Sequence, residues 1–338
     1  MLETKNVSFN TIAQELLSAG RIVVLAHVRP DGDALGSVLA VSHVLGALGK
    51  DVTGAVDSLK GLGGPGCLEG IDSLVEADKI EGSFDLALSL DCASVDRIAE
   101  SVRPFLDTAG KVVNIDHHVT NTRFGTFNYV DADASSTGEI IWELFKAAEW
   151  PIDRLAAEAL WVAMVTDTGR FAYDSTGPQT LACGSDLLTH GVRTSWLNDR
   201  LYCSFTQTSV ELKRRAYPTL SYRPDGSVAM ITLTGRDFAE TGGTKADAED
   251  VIEIPRSLVG NRVALFFYGN PEDENETRIS IRTRAPLDAS SLAMKFGGGG
   301  HLRAAGCTIS APMDEAKALF REALEVWLRE SEEKGESK

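Results

Sequence analysis

Arg21-Ile22-Val23-Val24-Leu25-Ala26-His27-Val28-Arg29-Pro30-Asp31-Gly32-Asp33 is the stretch whose reading decides the fold class. Its first six residues form a β-branched apolar run of the length of a buried strand. A polar loop follows, and from about residue 34 to 48 apolar residues recur at helical spacing until Gly49, a helix terminator. Residues 52–56, 86–90 and 112–115 repeat the strand signal, so the first half reads as βαβ units around a mostly parallel sheet. The last two runs end abruptly in Asp91 and Asp116. In open parallel sheets ligands bind beyond the carboxyl ends of the strands, where such residues would converge.

Working outward, residues 136–166 are helical with a break at Trp150-Pro151, and 178–189 form a further helix before Gly191. Residues 194–217 read as a charged helical connector. Beyond it the texture changes: Arg223-Pro224-Asp225-Gly226 supplies a hairpin turn, strands are expected at 228–233, 263–268 and 277–283, and helices at 288–295 and 313–328. The fold class is therefore α/β, with a parallel-sheet domain over 1–193 and a smaller α+β domain over 218–332 whose sheet is mixed or antiparallel. The charged end, 330–338, is expected to fray.

A length of 338 residues suits two domains with separate cores, and 43% hydrophobic with 24% charged residues is a globular composition. With 33 basic against 49 acidic residues, the net charge of −16 argues against long nucleic acid as a non-specific partner, while a mononucleotide or short oligonucleotide stays compatible. Five scattered cysteines, never in a CxxC spacing, indicate neither a disulfide framework nor a thiolate zinc site. Residues 1–10 carry no secretory pattern and no apolar run reaches the length of a membrane span, so a cytoplasmic protein with no membrane partner is expected.

His27, Asp31 and Asp33 put an imidazole and two carboxylates within seven residues. Asp31 and Asp33 alternate along the loop, so each could serve one of two neighbouring cations; the competing reading is an ordinary Asp-Gly-Asp turn with Asp33 as N-cap. Asp116-His117-His118 shifts the balance, because adjacent histidines after a buried strand are costly without partners. His43 and His190 read as structural. Asp91 and Asp167 are individually no more than cap or turn residues; their number and order carry the argument. His27, Asp31, Asp33, Asp91, His117 and Asp167 make a thiolate-free ligand set that suits two manganese ions, with magnesium, cobalt or zinc as substitutes. Such a pair clamps phosphoryl oxygens, which makes phosphate ester hydrolysis the expected reaction.

At these residues the sequence resembles the DHH superfamily of phosphoesterases, through His27-x-x-x-Asp31-x-Asp33, Leu90-Asp91, Asn114-Ile115-Asp116-His117-His118 and Thr166-Asp167-Thr168-Gly169. Gly297-Gly298-Gly299-Gly300-His301 and Ala304-Ala305-Gly306 are similar to the signature of the DHH-associated substrate domain, although four glycines could also be a floppy connector. The resemblance is to the nano-RNase and pAp-phosphatase branch. It implies that His27, Asp31 and Asp91 bind one ion and Asp33, Asp91, His117 and Asp167 the other, with Asp91 as bridge. It leaves His118 to the substrate, with Asp116 orienting a metal ligand from behind, and gives Arg282, Gly299, Gly300 and His301 to a nucleotide; Arg284, alternating with Arg282 along the expected strand, could present a second guanidinium from the same face. The implied substrates are short oligoribonucleotides, adenosine 3′,5′-bisphosphate (pAp) and linear or cyclic di-adenylates, acted on by a homodimer. The alternatives are a manganese-dependent inorganic pyrophosphatase of the same superfamily and a nucleotide sensor without turnover.

Overall fold

The computed structural model describes residues 5–60, 62–300 and 302–336, which divide into two compact units between Ser204 and Phe205. The first contains α1 (Phe9–Ser18), β1 (Arg21–Leu25), α2 (Gly32–Ala47), β2 (Asp51–Val56), β3 (Val75–Glu76), β4 (Leu86–Leu90), α3 (Arg103–Thr108), β5 (Lys111–Asp116), β6 (Phe127–Val130), α4 (Thr137–Ala147), α5 (Arg154–Asp167), α6 (Pro178–Thr189) and α7 (Thr194–Asn198).

Its six strands are all parallel, in the order β3-β2-β1-β4-β5-β6. Ile22 and Val24 of β1 enter a core shared with α1, α2, α4 and α5, while Val23 and Leu25 enter a second core with Phe84, Ile98 and Leu106. Both faces are covered, so the strand is a continuous apolar run rather than an alternating one. The chain builds from β1 toward one edge, returns to β4 and builds toward the other. The carboxyl ends of β1 and β4 therefore flank the point where the strand order reverses, the place where such sheets open a crevice.

Helix α2 is buried nearly all round its first ten residues, from Gly32 to Val41. Its N-cap is Asp31, whose Oδ1 accepts from Asp33 N (3.0 Å) and Ala34 N (3.1 Å). Asp33, which the turn reading made the cap, instead sits inside the first turn with 1% exposure, and its carboxylate is left for the interior. The break at Trp150-Pro151 separates α4 from α5, which restarts with Asp153 accepting from Ala156 N.

The second unit contains α8 (Gln207–Ala216), β7 (Ser221–Tyr222), β8 (Val228–Leu233), α9 (Gly235–Thr241), α10 (Glu253–Arg256), β9 (Val263–Gly269), β10 (Thr277–Thr283), α11 (Ala289–Met294), β11 (Gly299–Gly300), β12 (Ala304–Ile309) and α12 (Met313–Glu336). Its sheet runs β11-β12-β10-β9-β8-β7, with β8 and β9 parallel and the other pairs antiparallel, hence mixed. Leu265, Phe267, Ile279 and Ile281 pack with Phe320 and Trp327 on one face; Ile231, Ala264, Phe266 and Tyr268 pack with Leu212 and Val251 on the other.

Residues 194–217, expected as one connector, are divided: α7 belongs to the first unit and α8 to the second. Helix α12 continues to Glu336, past the point where fraying was expected.

Candidate metal centre

The predicted ligands come from five places in the first unit: His27 follows β1, Asp31 and Asp33 open α2, Asp91 and His117 follow β4 and β5, and Asp167 closes α5. They fall into two triads, His27 with Asp31 and Asp91, and Asp33 with His117 and Asp167, the ligand atoms of each lying within 4.8 Å of one another. Asp91 stands between the two imidazoles. Its Oδ2 is 3.4 Å from His27 Nε2 and its Oδ1 is 3.6 Å from His117 Nε2. His27 Nε2 also lies 3.9 Å from Asp31 Oδ2; His117 Nε2 lies 3.8 Å from Asp33 Oδ2 and 3.2 Å from Asp167 Oδ2.

Main-chain carbonyls orient both rings. His27 Nδ1 is 2.9 Å from Val28 O, and His117 Nδ1 is 3.3 Å from Ala134 O. A carbonyl only accepts, so Nδ1 carries the proton and Nε2 is the atom turned to the carboxylates, the arrangement of a ligating histidine.

The backbone is left-handed where it delivers several of these groups. Arg29 (φ 54°), Asp91 (φ 54°), Arg170 (φ 64°) and Phe171 (φ 63°) are non-glycine residues in the loops that bear His27, Asp91 and Asp167. Each costs about 1–3 kcal/mol, a cost concentrated at functional sites.

The electrostatics call for cations. Burial, and next the negative charges of Asp91 and Asp167, push Asp33 well above the ordinary carboxylate range. Asp167 is raised in the same way by burial, Asp91 and Asp31. Burial opposes a charge on His27, but hydrogen bonds and charge from Asp31 and Asp91 outweigh it and push the imidazole up to about 11. A field that holds a proton so firmly also favours a divalent ion, which competes with that proton for the same nitrogen. Imidazole and carboxylate donors in two adjoining sets, with one carboxylate between them, fit a pair of divalent cations.

His118 differs from His117. Its Nδ1 is 2.7 Å from Asp116 Oδ1, which also accepts from His117 N at 2.9 Å, and Asn121 Nδ2 donates to the other oxygen at 2.6 Å. Burial works against the imidazolium, yet Asp116 and Asp91 raise it to about 9. Asp116 thus orients the side chain of His118 as well as the backbone of His117. His118 Nδ1 also lies 3.5 Å from Asp91 Oδ1, which admits a third grouping of Asp91, His117 and His118.

In the second unit, β10 buries Thr277, Ile279, Ile281 and Thr283 on one face, leaving Arg278, Ser280 and Arg282 on the other. Arg282 lines a hollow of about 390 Å³ with Lys245, Glu249, Phe266, Tyr268 and Ser280. Arg284 lies beyond the strand end and borders a different hollow, of about 520 Å³, beside Arg262; alternation along one strand does not carry across that end. Gly299 and Gly300 form the edge strand β11 against Gly306 and Ala305. The run is therefore no loose connector: a Cβ on Gly298 would lie 2.2 Å from Gly306 O. His301 lies outside the described residues. His43 bonds Asp153 at 2.7 Å and His190 lies 3.8 Å from Asp186, consistent with structural roles.

Residues 21–164 match the DHH family N-terminal domain and residues 226–330 match the DHHA1 domain. The bifunctional oligoribonuclease and PAP phosphatase NrnA of Thermus thermophilus is 32% identical over 93% of this chain and 92% of its own length. The chain belongs to the DHH family. The NrnA protein of Bacillus subtilis is 29% identical, covering 92% of this chain and 96% of that one. Among solved structures, an exopolyphosphatase-related protein from Bacteroides fragilis superposes with a TM-score of 0.86 at 27% identity, over 94% and 96% of the two chains.

In this DHH chain Thr137, Gly138 and Asn121, none of them expected at the site from the sequence, contact Asp33, Asp91 and Asp116. A signal was present for the first two. Ser136 and Glu139 have the spacing of a helix start, and Ser136 Oγ does accept from Glu139 N at 3.1 Å. The main-chain donors of that start then face whatever packs against it. Nothing in the residue type of Asn121 distinguishes it from an ordinary turn asparagine.

Proposed function

We propose that this DHH protein hydrolyses short oligoribonucleotides to mononucleotides and pAp to AMP, using two divalent ions, manganese by preference. The observation that carries the reading is Asp91 standing between His27 and His117, with one triad of ligand atoms on either side. The names of the Thermus thermophilus and Bacillus subtilis relatives, which match nearly end to end, supply the substrate class.

His27, Asp31 and Asp91 would hold one ion, and Asp33, Asp91, His117 and Asp167 the other. When bound, the ions supply Lewis acidity, lowering the pKa of a water and neutralising charge that builds on the phosphoryl oxygens. His118, oriented by its 2.7 Å hydrogen bond to Asp116, which favours the imidazolium, would contribute a positive charge and a proton donor for the leaving oxygen. Arg282, with Phe266 and Tyr268 in the same hollow, offers a guanidinium for a phosphate or base, and Gly299 and Gly300 an exposed edge backbone. Arg284 offers a second guanidinium, in a separate hollow. His301 belongs to this substrate set through the family resemblance alone.

Linear and cyclic di-adenylates are further substrates of the same bond type. The five cysteines are free, which supports a reducing cytoplasm, and among the described residues no helix is long and apolar enough to cross a membrane. A homodimer rests on the family resemblance, and light scattering at micromolar concentration tests it.

The deciding experiment is chromatography of products after incubating the protein and manganese with a 5′-labelled RNA dinucleotide, pAp, cyclic di-AMP and pyrophosphate in parallel. Mononucleotide and AMP release is expected. Turnover of pyrophosphate alone would assign an inorganic pyrophosphatase, and binding without turnover a sensor.

A further inference from the structure

Ser135-Ser136-Thr137-Gly138-Glu139 opens α4. Ser136 caps the helix through Glu139 N, which leaves the first main-chain N–H groups without acceptors inside the helix. Both find the same carboxylate. Thr137 N donates to Asp33 Oδ2 at 2.7 Å and Gly138 N to Asp33 Oδ1 at 2.9 Å, and Ser37 Oγ adds a longer bond to Oδ1 at 3.3 Å. The Thr137 hydroxyl meanwhile donates to Asp91 Oδ1 at 3.2 Å. Thr137 is fully buried, so no water competes for these bonds.

One residue therefore touches a carboxylate from each triad: Asp33 through its amide and Asp91 through its hydroxyl. The last torsion of an aspartate is soft, and a carboxylate that serves two cations at once must not rotate. A β-branched donor with few rotamers, whose backbone is already bonded to the neighbouring ligand, restrains that torsion. The positive end of α4 also favours a carboxylate at Asp33.

We infer that Thr137 is a positioning residue that couples the two metal positions, its hydroxyl fixing Asp91 while its amide fixes Asp33. The inference rests on the metal-centre reading proposed above. A purely structural threonine would satisfy the same hydrogen bonds, but its loss would lower stability without changing how the second ion binds.

The test uses the full chain with Thr137→Val, which keeps the shape and removes the hydroxyl, and Thr137→Ser, which restores it. Manganese binding is counted by electron paramagnetic resonance of the free aqueous ion, the spin-coupled signal of a bound pair is recorded, and kcat and KM are measured on pAp. Thr137→Val is expected to weaken the second manganese by about 10–100-fold, the usual effect of losing an outer partner of a ligand, and to lose the coupled signal. Its kcat should fall by a similar factor with KM nearly unchanged, and Thr137→Ser should recover both. Should Thr137→Val fail to fold, Thr137→Ala makes the same comparison.

Two ions bound by Thr137→Val with unaltered affinity and signal would overturn the inference, as would a Thr137→Ser protein as impaired as Thr137→Val. A wild-type protein that binds fewer than two ions would instead contradict the metal-centre reading itself, and the inference with it.

Discussion

Asp91 Oδ1 lies 3.6 Å from His117 Nε2, at the adjoining carboxyl ends of the paired strands β4 and β5. Since Asp91 Oδ2 also faces His27, on the proposed assignment Asp91→Ala would remove a ligand from both positions. Hydrolysis is expected to fall by more than the roughly 100-fold typical of losing an outer partner, and bound manganese below two per chain. Equilibrium dialysis with metal analysis, alongside the rate, checks this; a protein with near-normal turnover would remove Asp91 from its central place.

His118→Ala separates the two histidines of the triplet. If His118 acts on the substrate, kcat falls by about 100-fold or more, the usual worth of a placed acid or base, while two ions stay bound. Loss of an ion would make His118 a ligand, as its 3.5 Å approach to Asp91 would allow.

Gly138 lets α4 approach α5. A Cβ there would sit 2.5 Å from Ala163 Cβ. Gly138→Ala must push the helices apart, at about 1–3 kcal/mol of stability, and it draws an N–H away from Asp33. Denaturant unfolding and manganese titration should both shift; a variant as stable as the parent would contradict the close packing.

Glu158, 2% exposed, accepts from Arg193 Nε and Nη2 at 2.7 Å each and from Arg154 Nη1 at 2.9 Å. Burial raises its pKa, but the bonds from Arg193 and the charges of Arg193 and Arg154 outweigh it and hold it below the ordinary value of 4.5. A depressed carboxylate stabilises the fold above its unfolded pKa, and that contribution is lost as pH falls through the folded value. Because both arginines are partly exposed and keep Glu69 as a partner, Glu158→Gln should cost about 1 kcal/mol near pH 7, with the gap to wild type closing below pH 4.5. A gap independent of pH would show that charge is not the cause.

Much of this was legible in the sequence because one physical signal dominated locally. The strands at 86–90, 228–233 and 277–283 and the helix at 178–189 coincide with the observed elements, the first two being apolar runs, the third an alternating pattern and the helix bounded by Pro178 and Gly191. Strand β6 was not seen: Phe127–Val130 is short, largely half-buried and paired on one side only. The six side chains drawn from five separate sequence segments do meet, since parallel strands bring their carboxyl ends together whatever the loops between them do. What stayed hidden depends on packing: Thr137 and Gly138 reach Asp33 through main-chain N–H groups, the Thr137 hydroxyl reaches Asp91 and the Asn121 amide reaches Asp116 only once their elements are in place, and the cap of α2 moved from Asp33 to Asp31 because packing, not propensity, turned Asp33 inward.

The most direct test is anomalous diffraction at the manganese edge from crystals grown with the ion. Two peaks are predicted, one among His27, Asp31 and Asp91 and the other among Asp33, Asp91, His117 and Asp167, with Asp91 contacting both. A single peak, or two peaks without Asp91 in common, would contradict the account.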